Sequence, residues 1–270
     1  MKEEAVIIIG GGVGPMAGLA LHEKIITNTV SDGSDQSHIC VHHYSCPALV
    51  PDRTAWLLHF DGPAGDPAIG MANIFGNAAK ALGERQAVAG IPCNTFHTAP
   101  IFDRFTSLIN KNCNNIRIIN MLHETMAVIK SGFKEGSKIG VLSTTGTRQS
   151  GVYHKLLQNA GYEAMFVPEF EQEVLHSSIY DKKWGIKATA KPSQKAVDTV
   201  KYMAKLLVKE GAMAVILACT ELPLALKTDS IQGAVVIDPV LYLAMALIRE
   251  VNPEKLAPQT KQKAVKMQNP

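Results

Sequence analysis

A short apolar run, then a loop of small residues, then a helical stretch occurs twice in this chain. The first copy is Ile8-Ile9-Gly10-Gly11-Gly12-Val13-Gly14-Pro15 and the second is Gly140-Val141-Leu142-Ser143-Thr144-Thr145-Gly146-Thr147. Each copy is followed, at a similar distance, by a cysteine that closes another apolar run: Cys93 in Ile91-Pro92-Cys93-Asn94-Thr95 and Cys219 in Leu217-Ala218-Cys219-Thr220-Glu221. A repeat of this kind implies two lobes wound in the same way. It also places one small-residue loop and one cysteine at the carboxyl ends of the strands in each lobe, the edge where open α/β sheets bind ligands.

The wider pattern agrees with parallel α/β architecture, because β-branched runs alternate with longer amphipathic stretches. Strands are expected at residues 6–9, 39–44, 87–91, 116–120, 139–142, 164–166, 214–217 and 235–237. Helices include 17–30, 69–82, 122–131, 152–160, 196–209 and 240–249. Parallel strands buried on both faces read as unbroken apolar runs, as residues 6–9 and 214–217 do. The expected fold is thus a pair of pseudosymmetric, doubly wound, Rossmann-like domains with the site in the cleft between them. Residues 1–120 with 226–252 form the first domain, 121–225 the second, and 253–270 a solvated tail.

Composition narrows the function. The chain of 270 residues is 46% hydrophobic and 19% charged, which is ordinary for a globular protein. Its apolar runs are too short for a membrane span or a signal-peptide core. Five cysteines without regular spacing argue against a disulfide framework and for a reducing cytoplasm. In the tail, Lys255, Lys261, Lys263 and Lys266 against Glu254 account for the whole net charge of +3. The body is near neutral and its aromatics are few, so nucleic acid is not an expected partner.

The glycine loop invites a dinucleotide reading, since Gly12, Gly14 and Ala17 fit G-x-G-x-x-A after a strand. That fold needs a carboxylate at the end of the second strand. Here that strand ends in His43-Tyr44-Ser45-Cys46, with Asp32 and Asp35 before it. Pro15 also removes an N–H from the loop. Gly14 is therefore read as lining a small anionic substrate. His42 and His43, adjacent on a strand, point to opposite faces and make a poor metal site with Cys46; no metal is expected. The thiols of Cys93 and Cys219 precede residues suited to a helix start, where first-turn N–H groups favour a thiolate. Asn94, Thr95 and Thr220 bring amide and hydroxyl groups suited to a substrate carboxylate. Glu221 falls in the first turn. Arg53, after the turn Pro51-Asp52, suits bidentate binding of a carboxylate. Residues 61–69 read as a lid or a long surface loop.

Taken together, five ordered motifs resemble the aspartate/glutamate racemase superfamily, and most closely its aspartate racemase branch. They are Gly11-Gly12-Val13-Gly14-Pro15, Pro51-Asp52-Arg53-Thr54, Pro92-Cys93-Asn94-Thr95-Phe96-His97, Ser143-Thr144-Thr145-Gly146-Thr147 and Ala218-Cys219-Thr220-Glu221-Leu222-Pro223. The resemblance implies a cofactor-independent homodimer with a small acidic amino acid as its partner. Cys93 and Cys219 would be the two bases. Asn94, Thr95 and Thr220 would hold the α-carboxylate and amino group, and Arg53 the side-chain carboxylate. Gly14, Thr144, Thr145 and Glu221 would join the substrate site, with a lysine from the second domain, Lys187 in preference to Lys183. The expected reaction is L- to D-aspartate. A glutamate or broader racemase, a maleate isomerase-like enzyme and an inactive carboxylate binder are the alternatives. Cys46 before Pro47, where the family often has Asn, and the bulky Trp184 depart from the family pattern.

Overall fold

The computed structural model describes residues 5–58, 65–111, 113–188 and 191–258. They build two compact units, which divide after residue 132 and again after residue 239, the first and last stretches together forming one unit and 133–239 the other.

The first unit holds a parallel sheet of β1 (Val6–Gly11), β2 (Val41–Ser45), β3 (Ala87–Gly90) and β4 (Ile116–Ile118) in the order β2-β1-β3-β4. Its helices are α1 (Pro15–Thr27), α2 (Arg53–Leu58), α3 (Pro67–Leu82), α4 (Ala99–Ile109) and α5 (Met121–Gly132). The second unit holds β5 (Lys138–Ser143), β6 (Glu163–Met165), β7 (Ala214–Ala218), β8 (Ser230–Ile231) and β9 (Ala234–Ile237) in the order β6-β5-β7-β9-β8. Around it lie α6 (Thr145–Gln149), α7 (Val152–Asn159), α8 (Glu169–Tyr180), α9 (Gln194–Lys209) and α10 (Leu222–Ala225). Helix α11 (Pro239–Val251) returns to the first unit.

Leaving aside the antiparallel edge strand β8, both sheets have the same order when their strands are counted along the chain. In each, the winding reverses between the first and third strands, β1 with β3 and β5 with β7. The register aligns Ile9 with Gly90 and Ser143 with Ala218. Each small-residue loop therefore leaves the sheet beside the loop that carries the cysteine, at the topological switch point. Strands β1 and β7 are buried along their whole length, as unbroken apolar runs require.

The expected domain boundaries need correction. Residues 226–239 do not rejoin the first domain: β9 pairs in parallel with β7, and β8 folds against β9 through Gln232 and Gly233, both at positive φ. The return begins at α11, whose Leu243 and Leu247 lie against Gly90. Helix α5 also belongs to the first unit. Nor is the start of the tail solvated. The N–H of Val30 donates to Lys255, that of Ala257 donates to Asn28, and Leu256 bridges Thr29. Residues 259–270 lie outside the described residues, as do 61–64 of the expected lid. Asp66 caps α3 by accepting from the N–H of Ala68 at 2.8 Å, so residues 67–69 are helix.

Two glycines of α3 should respond to alanine in opposite directions. A Cβ at Gly70 would stand 1.9 Å from the Leu49 carbonyl oxygen, whereas one at Gly76 meets nothing within 4 Å. Gly76→Ala should stabilise by up to about 1 kcal/mol, the helix-propensity difference. Gly70→Ala should destabilise by more than that, as measured by urea denaturation.

Candidate functional site

In the first unit, Cys93 follows β3 with its N–H donated to the Ile91 carbonyl at 2.9 Å. A three-residue 3-10 turn, Thr95–His97, comes next, and α4 starts only after Thr98. Cys93, Asn94 and Thr95 are 6%, 2% and 6% exposed. The loop is fixed from below by packing. Phe96 is fully buried edge-on to Phe105, which meets Phe75 the same way, both at 5.3 Å. His97, the last residue of the Cys93 motif, is the loop's internal strut. Its Nδ1–H donates to the Cys93 carbonyl at 2.8 Å, and its ring stacks on Phe102. A histidine four residues after a strand-end cysteine is the only sequence signal for this.

The glycine loop lies beside it. Gly12 and Gly14 both adopt positive φ, at 85° and 117°. A Cβ at Gly12 would also meet the backbone of Cys46 and Pro47 at 2.6–2.7 Å. Gly12 is thus required by close backbone packing. Arg53 opens α2 and is buried. Its Nη2 donates to the Val13 carbonyl at 2.8 Å and its Nη1 to the Pro51 carbonyl at 3.1 Å. It ties the Pro51-Asp52 turn to the glycine loop across a separation of 40 residues, which local sequence does not encode.

In the second unit, Thr144 caps α6 by accepting from the N–H of Thr147 at 3.3 Å. The N–H of Thr145 donates to Nδ1 of His176 at 3.3 Å, and His176 stacks on Tyr180. Across the switch point, Cys219 is 7% exposed and its Sγ lies 3.1 Å from Oε2 of Glu221. The Thr220 hydroxyl donates to the same oxygen at 3.3 Å. Glu221 Oε1 is ion-paired with Nζ of Lys187, which also sits over the Tyr180 ring at 5.4 Å. Lys183, the less favoured candidate, is exposed.

The helix-start expectation is corrected in both units. The turn after Cys93 spans three residues, and α10 after Cys219 spans four. Segments this short sum few peptide dipoles. At Cys219 the opposite effect wins. Burial, and then the neighbouring Glu221 carboxylate, push the thiol well above its ordinary range, against the smaller pull of Lys187 and the Glu221 N–H. Burial raises Cys113 as well, while Cys40 is exposed.

Among known proteins, the profile of the Asp/Glu/Hydantoin racemase family matches residues 11–247. An aspartate racemase from Picrophilus torridus is 27% identical, with a TM-score of 0.72 over 96% of this chain and 98% of its own. An aspartate racemase homologue from Pyrococcus horikoshii OT3 is 24% identical, with a TM-score of 0.62 over 92% of this chain and 99% of its own. A Francisella tularensis glutamate racemase, solved with D-glutamate, is 15% identical, with a TM-score of 0.57 over 95% of this chain and 84% of its own. The last two show likeness of fold.

His97 makes the Cys93 loop sensitive to acid. Burial holds its imidazole down to about 4, against an ordinary value of 6.5. Between these values the unfolded chain binds a proton that the folded chain refuses, so stability falls as pH drops through that window. The expected loss is roughly 2–3 kcal/mol between about pH 7 and pH 4.5. His97→Gln should flatten this part of the profile in urea denaturation, and an unchanged slope would assign the acid sensitivity elsewhere.

Proposed function

Because the chain belongs to the Asp/Glu/Hydantoin racemase family, we propose that it interconverts the L and D forms of aspartate with two cysteines and no cofactor. The observation that carries this reading is the matched placement of Cys93 and Cys219. Each follows the third strand of an equivalently ordered sheet, beside that sheet's small-residue loop. One thiolate removes the α-proton while the other thiol delivers a proton to the opposite face of the same carbon. The roles exchange in the reverse direction.

The difficulty is the weak acidity of an amino acid's α-proton, far below that of a thiol. Carbanion character has to be stabilised by fixed donors in a site with little water. Asn94, Thr95 and Thr220 are buried beside the thiols, which suits them to hold the α-carboxylate and amino group. Gly14, Thr144 and Thr145 line the two loops. The likeness to the Picrophilus torridus aspartate racemase supports aspartate as the substrate. A cytoplasmic homodimer belongs to the same proposal, and light scattering in solution checks its assembly.

One observation favours a second reading, a racemase of broader amino-acid specificity. The terminal nitrogens of Arg53 already donate to the Val13 and Pro51 carbonyls, which weakens the case for Arg53 as the sole anchor of a side-chain carboxylate. A chiral assay against a panel of L- and D-amino acids, without added cofactor, separates the two. Racemisation of aspartate alone supports the first reading, and comparable rates on several acids support the second. Cys93→Ala and Cys219→Ala should each lower the rate by about 10²- to 10⁴-fold while the fold survives. Full activity in either variant would end the two-cysteine mechanism.

A further inference from the structure

Glu221 was assigned from the sequence to the substrate site, but its carboxylate is engaged within the protein. Its side chain is 3% exposed. One oxygen meets the Cys219 thiol and the Thr220 hydroxyl, and the other meets Lys187. A substrate carboxylate brought here would face a like charge, and a substrate ammonium would have to displace Lys187. We propose that Glu221 is a positioning residue that holds the proton of Cys219, with Lys187 as the counter-charge that limits how tightly it is held. This rests on the two-cysteine reading above and concerns one of its two thiols.

The charge count explains the arrangement. With Cys219 as a thiol, the carboxylate and the ammonium cancel, and the S–H can donate to Glu221 Oε2 over 3.1 Å. When Cys219 protonates the α-carbon, the S–H bond breaks, its electron pair stays on sulfur and a C–H bond forms. The cluster then carries one net negative charge, with thiolate and carboxylate side by side in a buried setting. Such neighbours raise each other's proton affinity. The sulfur therefore takes a proton back readily, and Cys219 returns to its acid form after each turnover in this direction. Removing Lys187 would leave the carboxylate uncompensated and tighten the hold. Replacing the carboxylate by an amide would leave Lys187 facing the sulfur alone and release it.

The Tyr180 ring lies under Lys187. His176, stacked on Tyr180, accepts the Thr145 N–H at Nδ1. Thr144 and Thr220 contribute hydroxyls. Among the described residues, the charges acting on Cys219 are those of Glu221 and Lys187.

The test reads the thiol directly, without turnover. The full chain is treated with iodoacetamide across a pH series, and the modification of Cys219 is followed by peptide mass spectrometry. Exposed Cys40 serves as the internal reference. At about pH 8, Glu221→Gln should speed Cys219 modification by about tenfold or more, the effect of a one-unit fall in its proton affinity. Lys187→Met should slow it, and Glu221→Asp should restore slow reaction. An unchanged or slower rate in Glu221→Gln overturns the proposal. So does acceleration in both Glu221→Gln and Lys187→Met, since loosened packing would expose the thiol in either variant. A chain that racemises aspartate but shows no such shift refutes this role alone. A chain with the shift but without racemisation refutes the reading of the substrate and leaves the Glu221 role standing.

Discussion

The parallel pairing of each loop-bearing strand with its cysteine-bearing neighbour is the constraint on which the rest depends. Pairing β1 with β3 and β5 with β7 forces the connections on either side of the junction to wind in opposite directions. Their loops then diverge and leave a crevice at the carboxyl ends. The small residues of both loops follow from this crowding. At Gly12 a side chain would collide with the Cys46–Pro47 backbone, and Thr144 turns its short hydroxyl back to cap its own helix. In each unit, the cysteine is set by the sheet and not by a flexible segment.

The two settings are alike in backbone but not in charge. Cys93 sits on a loop held by His97 and a group of phenylalanines, with neutral Asn94 and Thr95 beside it. Cys219 sits against a buried carboxylate that is itself ion-paired. In a buried setting these charges act with less screening than at the surface, which is why Glu221 can govern the thiol from 3.1 Å. Two sheets of like strand order thus carry thiols in unlike electrostatic settings. The proposed reaction uses such a difference, since in it one sulfur starts as base while the other starts as acid.

Much of the architecture is legible in the amino-acid order, because parallel strands buried on both faces leave unbroken apolar runs. What stays hidden has physical causes. Strand β8 is two residues long and exists only because Gln232 and Gly233 turn the chain at positive φ. Helix α8 blurs the usual apolar stripe by burying Gln172 and Ser178 beside Leu175 and Ile179 while leaving Phe170 69% exposed. The allocation of β9 to the second sheet depends on a pairing between distant segments, and local sequence does not encode it. The matched strand-end settings of Cys93 and Cys219 are readable from their contexts, since each closes an apolar run. The length of the helices after them is not, and neither are the carbonyls awaiting Arg53 or the contact from Glu221 to Cys219. Each of those depends on where another segment arrives.

The central claim is that two thiols serve one α-carbon from opposite faces, and proton bookkeeping in heavy water tests it most directly. L-aspartate is incubated with the enzyme in deuterium oxide and both enantiomers are followed by mass at low conversion. With two bases, the D-aspartate formed should carry one solvent deuterium while the remaining L-aspartate keeps its protium. If the remaining L-aspartate gains deuterium as fast as D-aspartate appears, a single exchanging base is at work and the paired-cysteine account is wrong.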